Sequence, residues 1–509
     1  MASFYIPLTG LESDSTALNT IANDLANLNT TGFKDQTVNF SDLFYQQLGD
    51  EGSGNLIQEG SGVGVASIES QYTQGSIVST GNSTDVAING NGFFVLDNGG
   101  TDVYSRDGNF NLDLNGNLIT QSGQQVMGYP AVDGVVNTNA PLAGINIPVG
   151  QVEPPQATST FGMTANLDAS AAVGTSVPGQ ITMYDSLGVS HVATVTYTKT
   201  GTNTWSYSIS MPQTLQATST TAAGVTTLAY NFGASGSTLA SVDPTTNLQI
   251  TGPTATGTAT ITAPTVTAGE SVATYATALQ SAVTAAGITG VTVSSTTGGQ
   301  LSVVGTGIST AGSIVQDPVA TGTTGTLAFD SSGNLINPAA DVTGIGFSGL
   351  SDGAANMNFT WDILGSGNTA TITQTDAASG VSSTTQNGYP SGQYQSFTIA
   401  ADGTVNATYS NNQTLAVGKL ALANVVNLQG LQLMGNGDYA TTQASGTAST
   451  GVSGAAGLGT FQDSSLEESN VNISAEFSDL IIAQRAFEAN SKAVTTFDTI
   501  AQETINMLH

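Results

Sequence analysis

The chain of 509 residues has no cysteine, two histidines, and six lysines and arginines against thirty-six aspartates and glutamates. Without cysteine there can be no disulfide, no thiolate nucleophile and no thiolate metal ligand, and the redox compartment stays open. A formal net charge of −30 repels phosphate backbones and anionic headgroups, and the few basic residues nowhere cluster, which argues against nucleic-acid binding and membrane adsorption. No apolar stretch approaches the length of a membrane span. The opening MASFYIPLTGLESDS lacks a basic segment followed by an apolar run, so any export is expected to proceed without a Sec signal. Like-charged subunits stay soluble and repel one another, so assembly is expected to rest on apolar and hydrogen-bonded contacts.

What is present suffices for about three or four domains. Leu11, Leu18, Ile21, Leu25 and Leu28 fall mostly three or four apart and predict an amphipathic helix. Its start has two readings, a Thr9/Glu12 capping box or Pro7 in the first turn, and its end is placed at Gly32 as a left-handed cap. Near the other end Ile473, Leu480, Phe487, Val494, Ala501 and Leu508 recur every seven residues. The companion positions Phe477, Gln484, Ser491, Asp498 and Ile505 are polar in the middle. One apolar stripe on so long a helix needs partners, and the N-terminal helix is the nearest. A plain helical hairpin closing one domain satisfies the same pattern.

Between the termini, alternating runs such as GFFVLD, SHVATVTYTK, TWSYSIS and YQSFTIA, punctuated by Gly, Asn and Asp, predict successive β domains. The expected fold is multidomain and mainly β, with terminal α-helices forming a coiled-coil-like inner domain and nested β domains outward. Residues 1–32 and 468–509 make the helical domain and 33–70 an extended linker. Residues 71–148 with 385–467 make a first β domain, and 149–211 with 321–384 a second. Residues 212–320, rich in Ser, Thr, Ala and Gly, read as an inserted α+β domain or as a flexible low-complexity strip. Within it Val272, Tyr275, Leu279 and Val283 have helical spacing, and a hairpin turns at Gly298 and Gly299.

Chemistry-bearing constellations are scarce. His191 lies in a predicted strand and His509 at the last position, so neither has a Cys or His nearby in sequence with which to share a metal or build a catalytic triad. DLNGN, Asp113 to Asn117, opens like a calcium loop but has Gln124 where the bidentate Glu belongs, and reads as a hairpin turn, as does the run from Asp330 to Asn334. Gly90 to Gly92 lead into another strand, not a helix, against a dinucleotide site. No catalytic, cofactor-binding or metal residue is therefore assigned, and no enzyme activity is expected.

ANLNTTGFK at 26–34 resembles the N-terminal signature of bacterial flagellar rod and hook axial proteins. The C-terminal segment beginning LEESNVNISAEF, with Glu467, Ser469 to Val471, Glu476, Ala483 to Arg485, Phe487, Ala489 and Asn490, resembles the matching signature. Residues 182–209, 324–335 and 421–442 are similar to the hook family in particular, while 212–320 departs from its basic pattern. The resemblance implies a subunit that polymerises into a curved hollow tube, a universal joint between rod and filament and an export channel. Its inner wall would be the terminal helices, packed through the apolar residues named above. Polar Asn19, Asn23, Asn27, Gln484 and Asn490 would face the channel or bridge subunits. Implied partners are further copies, the rod, hook-cap and hook-filament junction proteins and the flagellar type III export apparatus, with no cofactor and an extracellular location. FSDLF, with Phe40 and Phe44, resembles the short element read by the export gate, the alternative being ordinary packing. A distal rod protein, a secreted adhesin or surface-layer protein, and a polysaccharide hydrolase are the rival readings.

Overall fold

The computed structural model describes residues 4–50, 56–215, 217–231, 238–242, 248–264, 270–296, 300–311, 314–317, 319–350, 352–365, 367 and 369–507. Leu508, His509 and the turn at Gly298 and Gly299 lie outside them. The fold is mainly β and divides into two units, residues 1–151 with 393–509, and residues 152–392.

In the first unit, helix α1 spans Tyr5–Ala26. Pro7 sits in its first turn, where its missing N–H costs nothing. Thr9 is already inside the helix and donates its hydroxyl to the Ile6 carbonyl, so it does not cap. The helix ends on Asn27, whose N–H reaches the carbonyls of Asn23 and Asp24. Gly32 is therefore not the helix cap. It has a left-handed φ of +67°, but in the turn beyond.

The next segment is a β-hairpin, not a bare linker: Gln36–Asp42 pairs antiparallel with Val63–Ser70, and the Val63 N–H reaches the Thr9 hydroxyl. A larger sheet then joins outgoing to returning chain. Gln125–Val132 lies between Phe93–Asp97 of the outgoing half and Thr414–Leu420 of the returning half, with Gly128 opposite Leu420. Alternation puts Phe94, Leu96, Phe110, Leu118, Val405 and Leu420 into one core. The turns are Asx turns: the Asp113 carboxylate accepts from the N–H groups of Asn115 and Asn117, and Gly116 takes a φ of +83°. The C-terminal helix, α3, spans Ile473–Asn506 and is capped by Asn472, whose side-chain Oδ1 accepts from the N–H groups of Ser474 and Ala475.

In the second unit one sheet is built on Thr160–Asp168, flanked by Met357–Asp362 and Ile372–Thr375 in parallel and Gly380–Gln386 antiparallel. A second is a meander of Ser176–Tyr184, Ser190–Gly201, Thr204–Ser210 and Thr324–Phe329. They share one core around Trp205, Trp361, Tyr197 and Phe161. Residues between Ser210 and Thr324 form a separate core around helix α2, Val272–Ala285, which buries Val272, Tyr275, Leu279 and Val283. Ser271 caps α2 by accepting from the Thr274 N–H. A flexible strip would bury no such stripe.

His191 has one acidic partner six residues away in sequence, Asp185, and one far away, Asp352. Its Nε2 is 2.7 Å from Asp185 and 3.4 Å from Asp352, so it joins two loops of the second unit. The other Asp185 oxygen holds the N–H groups of Leu187 and Val189, which makes the cluster a hydrogen-bonded joint.

Candidate assembly interface and its internal lock

Helices α1 and α3 run antiparallel, with the Phe4 ring 6.0 Å from Phe497 and the Asn490 amide donating to Asp14 at 2.8 Å. The side of α1 that is buried is not the leucine stripe but the small and polar one beside it: Gly10, Ser13, Ala17, Thr20 and Asp24. Small residues let the backbones approach. A Cβ on Gly10 would lie 2.6 Å from the Asn490 amide. Asn490 thus faces α1 and bonds within its own subunit, where the expectation was the channel or a bridge between subunits.

The sequence-predicted packing residues stay incompletely covered. Leu11, Leu18, Ile21, Leu25, Leu28, Leu480 and Val494 are half-buried, whereas Ile473, Phe477, Phe487, Ala501 and Ile505 are exposed. In α3 Ala483 alone is buried, while Phe477 is 52% and Ile482 65% exposed. A helix of 34 residues showing that much apolar surface is incomplete as a single molecule. Phe40 and Phe44 are exposed as well.

Behind the helices lies a cluster that sequence reasoning missed. Glu467 is fully buried, with one carboxylate oxygen 2.6 Å from Lys34 Nζ and the other 3.1 Å from Arg106 Nη1. Lys34 also donates to the Thr73 carbonyl and Arg106 to that of Gly90, and the Gly75 N–H reaches Glu467. Arg106 stands 5.5 Å over the Phe93 ring. Burial pulls both cations below their ordinary pKa, and the Glu467 charge opposes that. The Glu467 carbonyl accepts the Gly32 N–H, and a Cβ on Gly32 would lie 2.7 Å from the Arg106 backbone. The lock therefore ties the segment after α1, the β core and the segment before α3 into one node. The findable signal was scarcity: the chain has only six basic residues, and Lys34 and Glu467 stand in the N- and C-terminal signatures.

A second acidic group lies where α1 ends beside the start of α3. Asp24 is fully buried and pushed up to about 6, mainly by burial and further by Asp35, while hydrogen bonds from the Gln36 N–H and the Asn23 side chain work the other way. Glu476 is pushed up to about 7 by burial and then by Asp24, Asp35 and Asp479.

Four family models match along the chain: Flagella basal body rod protein at residues 4–34, Flagellar hook protein FlgE/F/G D1 domain at 87–166, Flagellar basal body protein FlaE D2 domain at 159–300 and 290–389, and Flagellar basal body rod FlgEFG protein C-terminal at 462–507. The flagellar hook protein FlgE of Escherichia coli is 29% identical, covering 99% of this chain and 100% of its own. That of Treponema pallidum is 29% identical over 100% of this chain and 99% of its own. A rod protein, FlgG of Buchnera aphidicola, is 40% identical but over 29% of this chain and 58% of its own. The likeness to these hook proteins thus runs over the whole chain, whereas the likeness to this rod protein covers less than a third of it. The chain belongs to the flagellar hook protein family. The family is one of structural, self-polymerising flagellar components. Among the described residues of this hook-family chain no helix is long and apolar enough to cross a membrane.

Proposed function

We propose that the chain polymerises into the curved hollow tube of the hook and works there as a universal joint, transmitting torque to the filament while unfolded cargo passes through the bore. The observation that supports this is the uncovered apolar surface of α3 beside a helix pair already closed on its other side. A patch that is not self-complementary meets a different patch on the next copy, and a heterologous contact that does not close makes a helical filament. In this reading α1 and α3 form the inner wall, with Leu11, Leu18, Ile21, Leu25, Leu28, Ile473, Phe477, Leu480, Phe487, Val494, Ala501 and Ile505 packed between copies, and the β domains nest outward with 212–320 outermost. The proteins it meets are the rod, the hook cap and the hook-filament junction. The subunit is exported by the flagellar type III apparatus, with Phe40 and Phe44 in the element read at its gate, and its place is outside the cell. The role is mechanical, without catalysis.

Deleting the gene and imaging the cells tests the reading. Cells without hooks or filaments, restored to short curved tubes by the gene, are expected. Cells that keep normal hooks would overturn it.

A further inference from the structure

A groove of about 390 Å³ opens between α1, the Gln36–Asp42 strand and about the first four turns of α3. Asp14, Glu476 and Asp479 line it, and Ile21, Val38 and Phe40 give it apolar walls. Beside it lies the fully buried Asp24, whose Oδ1 has no hydrogen-bond partner. Three carboxylates with aliphatic walls fit a long cationic side chain, whose methylenes and charge both find matching surface.

The chain has six cations, and four are used internally. Lys34 and Arg106 belong to the lock, Lys199 is buried and donates to the carbonyls of Asp168 and Ala169, and Lys419 pairs with Asp402 at 2.8 Å. The remaining two, Arg485 and Lys492, are exposed and both stand on α3. Arg485 touches only Glu488 on its own helix, with both side chains mostly in water, and Lys492 has no acidic partner among the described residues. Seven residues apart, the two share one face of the helix. That face is turned by roughly 120–145° from the one carrying Glu476, Asp479, Ile482, Ala483 and Ala486 into the groove. Anionic groove and cationic ridge are thus back to back, and neither can satisfy the other within one molecule.

We propose that Arg485 and Lys492 of one copy enter the groove of a neighbouring copy, between Asp14, Glu476 and Asp479, as the subunits stack. This rests on the reading of the terminal helices as the packing surface, and gives it polarity: complementary patches on opposite faces propagate head to tail. It also adds ion pairs to the apolar and hydrogen-bonded contacts expected to overcome repulsion between subunits of charge −30. Glu476 and Asp24 are raised in the isolated subunit mainly by burial and further by neighbouring carboxylates, and a neighbour's guanidinium would lower both.

Three variants test it, each made in cells in place of the native gene and read on isolated hooks. The absence of cysteine makes a cross-link unambiguous: with Asp479→Cys and Arg485→Cys in one chain, the two sites are about 9 Å apart along the axis on different faces, too far for an internal bridge, which needs Cα atoms within about 7 Å. Mild oxidation of assembled hooks is expected to give a ladder of multimers, and oxidation of dissociated subunits none. Arg485→Glu with Lys492→Glu is expected to cut assembled hook material about tenfold. Adding Glu476→Lys and Asp479→Lys should recover most of it, with unchanged helical circular dichroism in every subunit. Hooks that assemble normally from the charge-reversed chain, or that give no ladder, overturn the proposal while leaving the hook reading intact. A native chain that forms no tubes overturns the hook reading itself.

Discussion

Replacing Glu467 by Gln removes one charge and almost no volume. In the native molecule a single fully buried carboxylate faces two buried cations at 2.6 and 3.1 Å. The Gln side-chain oxygen can still accept from Lys34 or Gly75, so packing and one hydrogen bond survive. Two cations are then left without a counter-charge. Breaking a buried pair by removing one partner costs about 3–5 kcal/mol, and a carboxylate serving two cations belongs at the upper end. The chain has several cores, so one global melting temperature would mix their transitions. The cleaner assay is native-state hydrogen exchange at Gly32 and Gly75, whose N–H groups end on Glu467 itself. The expected result is exchange at both sites faster by roughly 10²–10³-fold, with core strands of the second unit unchanged. A change below about tenfold would refute the idea that this charge holds the node together. The companion variant, Lys34→Met with Arg106→Met and Glu467→Leu, should cost far less than the single change, because a buried ion cluster replaced whole by apolar groups is often close to neutral.

Asp24 and Glu476 have folded pKa values raised to about 6 and about 7, so the folded subunit holds more protons than the unfolded chain between about pH 4 and 7. Their contribution is complete below the unfolded values and is lost as pH rises through the folded ones. Urea titrations should therefore find the α1–α3 end more stable at pH 5 than at pH 8, by on the order of 1–2 kcal/mol, and Asp24→Asn should flatten that dependence. Gly32→Val puts a β-branched residue at a φ of +67° with its Cβ 2.7 Å from the Arg106 backbone. The purified monomer should lose roughly 3 kcal/mol or more at the node, measured by the same exchange assay, so the damage falls on the subunit before assembly. Phe40→Ala with Phe44→Ala should leave the stability of the folded chain within about 1 kcal/mol, since both rings are exposed, while secretion falls, and normal secretion would reject the export role.

Local periodicity was the part of the structure most open to reading. The stripe through Val272, Tyr275, Leu279 and Val283 lies on a helix and is buried, and the Asx turns at Asp113 and Asp330 follow from their own residues. The helix–helix contact was not open to reading that way. Leucines dominate a hydrophobicity pattern, yet α1 meets α3 through Gly10, Ser13 and Ala17, because two helices come close only where side chains are small. The leucine stripe next to it stays half-covered, as a surface destined for other copies would. Gly32 illustrates a nearby failure: its backbone need is real, but it arises from the Arg106 backbone and the Glu467 carbonyl, not from the end of α1. Lys34, Arg106 and Glu467 are separated by up to 433 positions, so no local window contains their relation. Their rarity as charges in a chain with so few cations was the available clue.

The central claim is that the faces of α1 and α3 left open in one molecule are closed by neighbours in a tube. Cryo-electron microscopy of hooks assembled from this chain tests it most directly. The expected map has α1 and α3 at the inner radius, with Phe477, Ile481 and Ile482 of one copy buried against other copies and the β units outward. A tube whose inner wall is β structure, or one in which those side chains remain in solvent, would contradict the account.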